Sequence, residues 1–145
     1  MRILQRLDWL VPLTMPTQPF FLDETFKVVA TKSSRSLLVL PLPTVSRFAP
    51  AIWHTVGFIF GWDRLRAGLD RLLQDHPGFY YLIHPADFLG PNDLDTRYNH
   101  NLARMGVPLD EKLARLSEMF SIIAASGRPR TSMAGLARYH GAEAG

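Results

Sequence analysis

The spacing of apolar and polar residues changes several times along the chain, and each change predicts an element. Leu10–Phe21 is proline-rich and has no period, which predicts an extended surface segment. Phe26–Ala30 predicts a short strand, and Ser36–Leu40 is a continuous apolar run stopped by Pro41. Such a run, bounded by breakers, fits a strand buried on both faces. Pro41, Pro43 and Pro50 mark a long connection. From Ala51 to Gln74 the period is helical: Ile52, Trp53, Val56 and Phe60 share one face, Gly61-Trp62 breaks it, and Asp63 suits an N-cap. Leu65, Leu69, Leu72 and Leu73 then continue at helix spacing until His76-Pro77-Gly78. Phe79–Ile83 carries the strongest strand signal and ends at His84-Pro85. Ala86–Val107, rich in Pro, Asn, Asp and Gly, predicts a long loop. Leu109, Leu113, Leu116, Phe120 and Ile123 form the apolar stripe of an amphipathic helix with Gly127 just beyond its end. Arg128–Thr131 predicts an edge strand and Ser132–His140 a last helix.

Strands alternating with helices predict an α/β architecture with a parallel sheet. The length, 145 residues, fits one domain. Residues 1–35 are expected to be irregular and 36–140 to form the β/α core. The absence of cysteine excludes a disulfide scaffold, a thiol nucleophile and cysteine-ligated zinc. The net charge is +3, but the 13 arginines are scattered, and no basic block interleaves with stacking aromatics. Nucleic acid is therefore not an expected partner. Arg6 and Asp8 interrupt any leader-like apolar stretch at the N-terminus. Phe48–Trp62 is the longest uncharged stretch, and its 15 residues fall short of the about 20 a spanning helix needs. It is expected to be a core helix; peripheral membrane contact is the alternative, since Arg47 and Arg64 flank it. The expected location is the cytoplasm or a membrane periphery, with no signal peptide and no transmembrane helix.

Phosphate-cradling glycine motifs, H-E-x-x-H and G-x-S-x-G are all absent. No two of the five histidines lie within seven residues of one another, so spacing alone assembles neither a metal site nor a triad. His84 stands out because it directly follows a predicted buried strand. Strand C-terminal ends line the ligand crevice in α/β folds. An imidazole there can serve as general acid or base; the competing reading is a histidine that caps a loop. Asp87 can orient its ring, or act as a turn former. Pro41, Phe48 and Trp53 are candidates for a substrate groove. Trp53, Phe58, Phe60 and Trp62, at helical spacing, read first as core aromatics. Arg97–Asn101 reads as a solvated polar cluster, and His54, His76 and His140 as structural.

The run Ser36-Leu-Leu-Val-Leu-Pro41, the Trp/Phe-rich helix, and Tyr80-Tyr-Leu-Ile-His84-Pro-Ala-Asp-Phe88 together resemble the C-terminal part of a bacterial polysaccharide deacetylase. The helix Leu109–Ser126 with Gly127-Arg-Pro-Arg-Thr131, and Pro16–Phe21 upstream, extend the resemblance to about Leu13–Tyr139. It implies the last portion of a distorted (β/α) barrel that hydrolyses the N-acyl amide of an amino sugar in a polysaccharide, oligosaccharide or lipid-linked glycan. In that family a divalent, zinc-like metal held by an aspartate and two histidines activates water. A second aspartate is the base, and a late histidine, matched here by His84, protonates the leaving amine. Ala86 and Asp87 stand where the family has tryptophan and glutamate. The metal-binding and base motifs belong to an earlier portion with no counterpart in this chain. The expectation is a truncated or split product, inactive alone, with no cofactor of its own and an upstream-encoded N-terminal half as partner. A non-catalytic interaction or membrane-surface protein that completes a partner chain is the alternative. The hydrolase reading asks that Phe79–Ile83 lie in a parallel sheet and that His84 stand at a crevice.

Overall fold

The computed structural model describes residues 16–30, 32–90, 92–93 and 103–143. Its elements are β1 (Phe20–Leu22), β2 (Val28–Val29), β3 (Leu37–Val39), α1 (His54–Phe60), α2 (Trp62–Asp75), a 3-10 turn at Pro85–Phe88, a second at Ala103–Gly106, α3 (Leu109–Ala125) and α4 (Met133–Glu143). The chain divides into two compact units. One holds the residues up to Ala51, with Gly78–Tyr80 and the chain from Pro129 on; the other holds Ile52–Pro77 and Tyr81–Arg128.

In the first unit a three-stranded antiparallel sheet runs in the order β2-β1-β3, with Phe21 opposite both Val29 and Leu38. The β1–β2 turn is built by Asp23. Its carboxylate accepts the Thr25 N–H (2.8 Å), the Thr25 hydroxyl (2.8 Å) and the Lys27 N–H (3.0 Å). These donors, the Lys27 amide foremost, hold the Asp23 carboxyl below the usual range. Phe21 is the buried centre of the sheet. β3 is a correction to the sequence reading. The run expected to be a strand buried on both faces is an antiparallel edge strand, paired with β1 on one side, and its Leu37 is exposed. α4 falls where a last helix is expected, and it packs Leu136 and His140 against Gly78. A Cβ at Gly78 would stand 3.0 Å from Leu136 Cδ1, so that approach is made through the missing side chain.

The second unit is helical. Leu65, Leu69 and Leu72 of α2 are fully buried, as their spacing predicts, and Ile52, Val56, Met105 and Met119 complete the core. Gly61 separates α1 from α2 at φ +94°, a conformation glycine adopts without penalty. Asp63, expected as an N-cap, lies instead inside the first turn of α2, where its charge complements the helix dipole. Arg66 of α2 and Arg115 of α3 both pair with Glu118.

Helix α3 forms as expected but presents a different face. Lys112 and Met119 are its buried residues, while Leu109, Leu113 and Phe120 are 43%, 46% and 46% exposed. The Lys112 ammonium donates to the Leu89 carbonyl and lies 5.9 Å from the Phe58 ring centroid. That anchorage goes with a Lys112–Met119 side turned inward and with Leu109, Leu113 and Phe120 of the stripe left exposed. Met119→Ala is therefore expected to cost about 2–4 kcal/mol of unfolding free energy, and Leu113→Ala at most about 0.5 kcal/mol. Chemical denaturation of the two variants checks this ordering; the reverse order would restore the periodicity-based orientation.

Two further expectations are corrected. Phe79–Ile83 is not a strand, and neither is Arg128–Thr131. Among the described residues Phe79–Ile83 has no ladder partner, and a parallel strand forms only with one. Its one backbone hydrogen bond there is from the His54 N–H to the Leu82 carbonyl (3.0 Å). The fold is thus mixed α/β, and its one sheet among the described residues is small and antiparallel, not a parallel barrel. The Ala86–Val107 region contains the two 3-10 turns; Arg97–Asn101 lies outside the described residues.

Candidate functional site

Pro85 fixes the backbone at the first position of a 3-10 turn, so the chain reverses directly after His84. Asp87 closes that turn. Its Oδ2 accepts the His84 N–H at 2.8 Å, and its own N–H donates to the His84 carbonyl at 2.9 Å. The carboxylate, 1% exposed, thus holds the His84 main chain. Asp87 takes the turn-forming role that the sequence allows beside ring orientation.

The His84 ring is half-buried and stands against Trp53, with centroids 4.9 Å apart and planes at 69°. Of the groove candidates, Trp53 is the one brought to His84. Pro41 and Phe48 belong to the other unit, where Pro41 is half-buried and Phe48 exposed. Phe58 and Trp62 pack edge-to-face (4.9 Å) and belong to the aromatic core around His54, whereas Phe60 is exposed.

Two residues that sequence reasoning passed over join Asp87. The Thr55 hydroxyl donates to Asp87 Oδ1 at 3.2 Å. Arg104 Nη1 lies 3.0 Å from Thr55 Oγ1 and 3.4 Å from the same carboxylate oxygen. Thr55 sits in the first turn of α1 and Arg104 in the second 3-10 turn. The one sequence hint was a hydroxyl on an otherwise apolar helical face; nothing marked Arg104, 49 residues away.

Behind this group, His54 is buried and its Nδ1 shares a hydrogen bond with the Tyr81 hydroxyl at 2.9 Å. Burial lowers the His54 pKa, and the Asp87 charge opposes that only in part. Burial also raises the pKa of the Tyr81 hydroxyl, with the Asp87 charge adding to it. The Lys112 ammonium is pushed down, chiefly by burial and further by Arg104, while Asp87 and Asp93 pull it back. His54 is neutral in the fold but takes up a proton in the unfolded chain near its ordinary 6.5. Unfolded chains therefore bind more protons below that value, and stability falls as pH drops from about 6.5 towards the depressed folded-state value. Melting curves across this range are expected to fall more steeply for the wild type than for His54→Gln. Equal slopes would remove His54 as the cause.

Among the described residues no three His, Asp or Glu side chains converge in a way that could hold a metal ion. Both Asp87 oxygens already accept hydrogen bonds, one from the His84 amide and one from Thr55. These residues do not fit the zinc-like ion that the family resemblance implies. No helix among them is long and apolar enough to cross a membrane. No family model, curated protein or solved structure matches the chain. The arrangement itself offers a titratable ring on a pinned backbone, next to one aromatic face.

Proposed function

We propose that the chain is the C-terminal portion of a polysaccharide-deacetylase-type hydrolase, with His84 as the general acid. The observation that carries this reading is the pairing of a half-buried His84 ring with Trp53, on a turn that a buried carboxylate closes. Hydrolysis of an N-acyl amino sugar adds water to the carbonyl and then breaks the C–N bond. The nitrogen departs only once it is protonated. An imidazolium at position 84 donates that proton, leaving acetate (or another acyl acid), the free amine and a neutral ring. Trp53 gives the C–H face of a sugar ring an apolar surface to rest on. No described residue of this chain holds a metal, so any water-activating group would have to come from the complementary portion. Phe79–Ile83 forms no strand in this structure, so the reading also requires that portion to supply the neighbour that would draw it into a parallel sheet.

The test is to produce the chain together with the product of the coding sequence immediately upstream, and to supply an N-acetylated glucosamine oligomer. Acetate and free amine are expected in equal amounts. Absence of both from a well-folded complex would overturn the hydrolase reading. One observation favours the alternative of a non-catalytic interaction protein: the exposed Leu109, Leu113 and Phe120 on α3. A stable complex without hydrolysis selects that reading.

A further inference from the structure

We infer that Arg104 is a positioning residue for His84, acting through Thr55 and Asp87; this rests on the hydrolase reading above. The geometry forms a short relay. Arg104 Nη1 reaches Thr55 Oγ1 (3.0 Å) and Asp87 Oδ1 (3.4 Å), Thr55 Oγ1 reaches the same oxygen (3.2 Å), and Asp87 Oδ2 accepts the His84 amide (2.8 Å). One carboxylate oxygen is therefore held by α1 and the second 3-10 turn, and the other holds the backbone of the general acid. A carboxylate accepts through two oxygens lying in one plane, with about four lone-pair sites between them. Fixing Oδ1 from two sides sets the plane of the group, and with it the position of the His84 amide. Arg104 touches neither the His84 ring nor any reacting atom in this arrangement, so its influence passes entirely through the main chain. Misplacing a reacting group by about 1 Å from a distance can cost about 10²-fold in rate.

The experiment compares Arg104→Met, Arg104→Lys and Thr55→Val in the reconstituted protein, with two readouts. Steady-state hydrolysis of the N-acetylated oligomer is expected to show kcat lowered up to about 10²-fold by Arg104→Met with KM unchanged. Arg104→Lys, which keeps a donor for Oδ1, is expected to recover most of the loss. NMR of the histidine rings is expected to show the His84 resonances displaced in Arg104→Met and Thr55→Val, with those of His76 and His140 in place. Should Arg104→Met not fold, Thr55→Val carries both readouts. An unmoved His84 resonance with unchanged kcat overturns the inference, as does an equal loss in Arg104→Lys and Arg104→Met. A wild-type complex that hydrolyses nothing overturns the hydrolase reading instead, and the NMR arm still decides whether Arg104 positions His84.

Discussion

His84→Gln is expected to lower turnover of an N-acetylated amino sugar by about 10²- to 10⁴-fold, the usual contribution of a positioned general acid. Glutamine can hydrogen-bond but cannot deliver a proton to a departing nitrogen, so the loss belongs to kcat. The same change is expected to move the unfolding free energy by less than about 1 kcal/mol. The reason is in the contacts. The turn at Pro85–Phe88 is held by the His84 main chain, which glutamine retains, and the ring itself rests edge-on against Trp53. Parallel kinetics and urea unfolding separate the two effects. A large stability loss would mean that the ring is a packing residue and that the turn depends on it.

Asp87→Ala is expected to act in the opposite way, with a stability loss of about 3–5 kcal/mol. The substitution strips Arg104 of its carboxylate, leaves the Thr55 hydroxyl with one partner fewer, and frees the His84 amide. Removing one member of a buried charged pair leaves the other uncompensated, which costs far more than the pair contributes net. Against a typical total of about 5–15 kcal/mol, this brings the second unit near its unfolding threshold. Asp87→Asn keeps an acceptor for the His84 amide and is expected to lose less. The midpoint of urea unfolding should fall with little change in slope. A midpoint within experimental scatter of wild type would show that water already satisfies Arg104 and the His84 amide.

Helical periodicity was legible wherever a helix carries its own core. Leu65, Leu69 and Leu72 are buried as their spacing requires, and the last helix falls where expected. The face of α3 was not legible, because a buried cation takes the inward side and three of the five stripe residues are left exposed. Lys112 finds the Leu89 carbonyl and the Phe58 ring, and its four-carbon stem can be buried where its head has a partner. Apolar runs located β2 and β3 but misled at Phe79–Ile83, for a different reason. Phe79–Ile83 has the composition of a central strand, but pairing is a property of two segments, and composition reports on one. The candidate site divides along the same line. His84, Asp87 and Trp53 could be singled out from local sequence. Thr55 and Arg104 join through space, and no local pattern announces a contact across 32 or 49 residues.

The most direct measurement compares how much His84→Gln slows the reconstituted protein on two substrates that share one sugar. One carries an N-acetyl amide and the other an O-acetyl ester. An alkoxide can leave without prior protonation, whereas an amide nitrogen cannot. A proton donor at position 84 predicts a loss of about 10²- to 10⁴-fold on the amide and a far smaller one on the ester. Equal losses on both would place His84 outside the proton transfer and contradict the account.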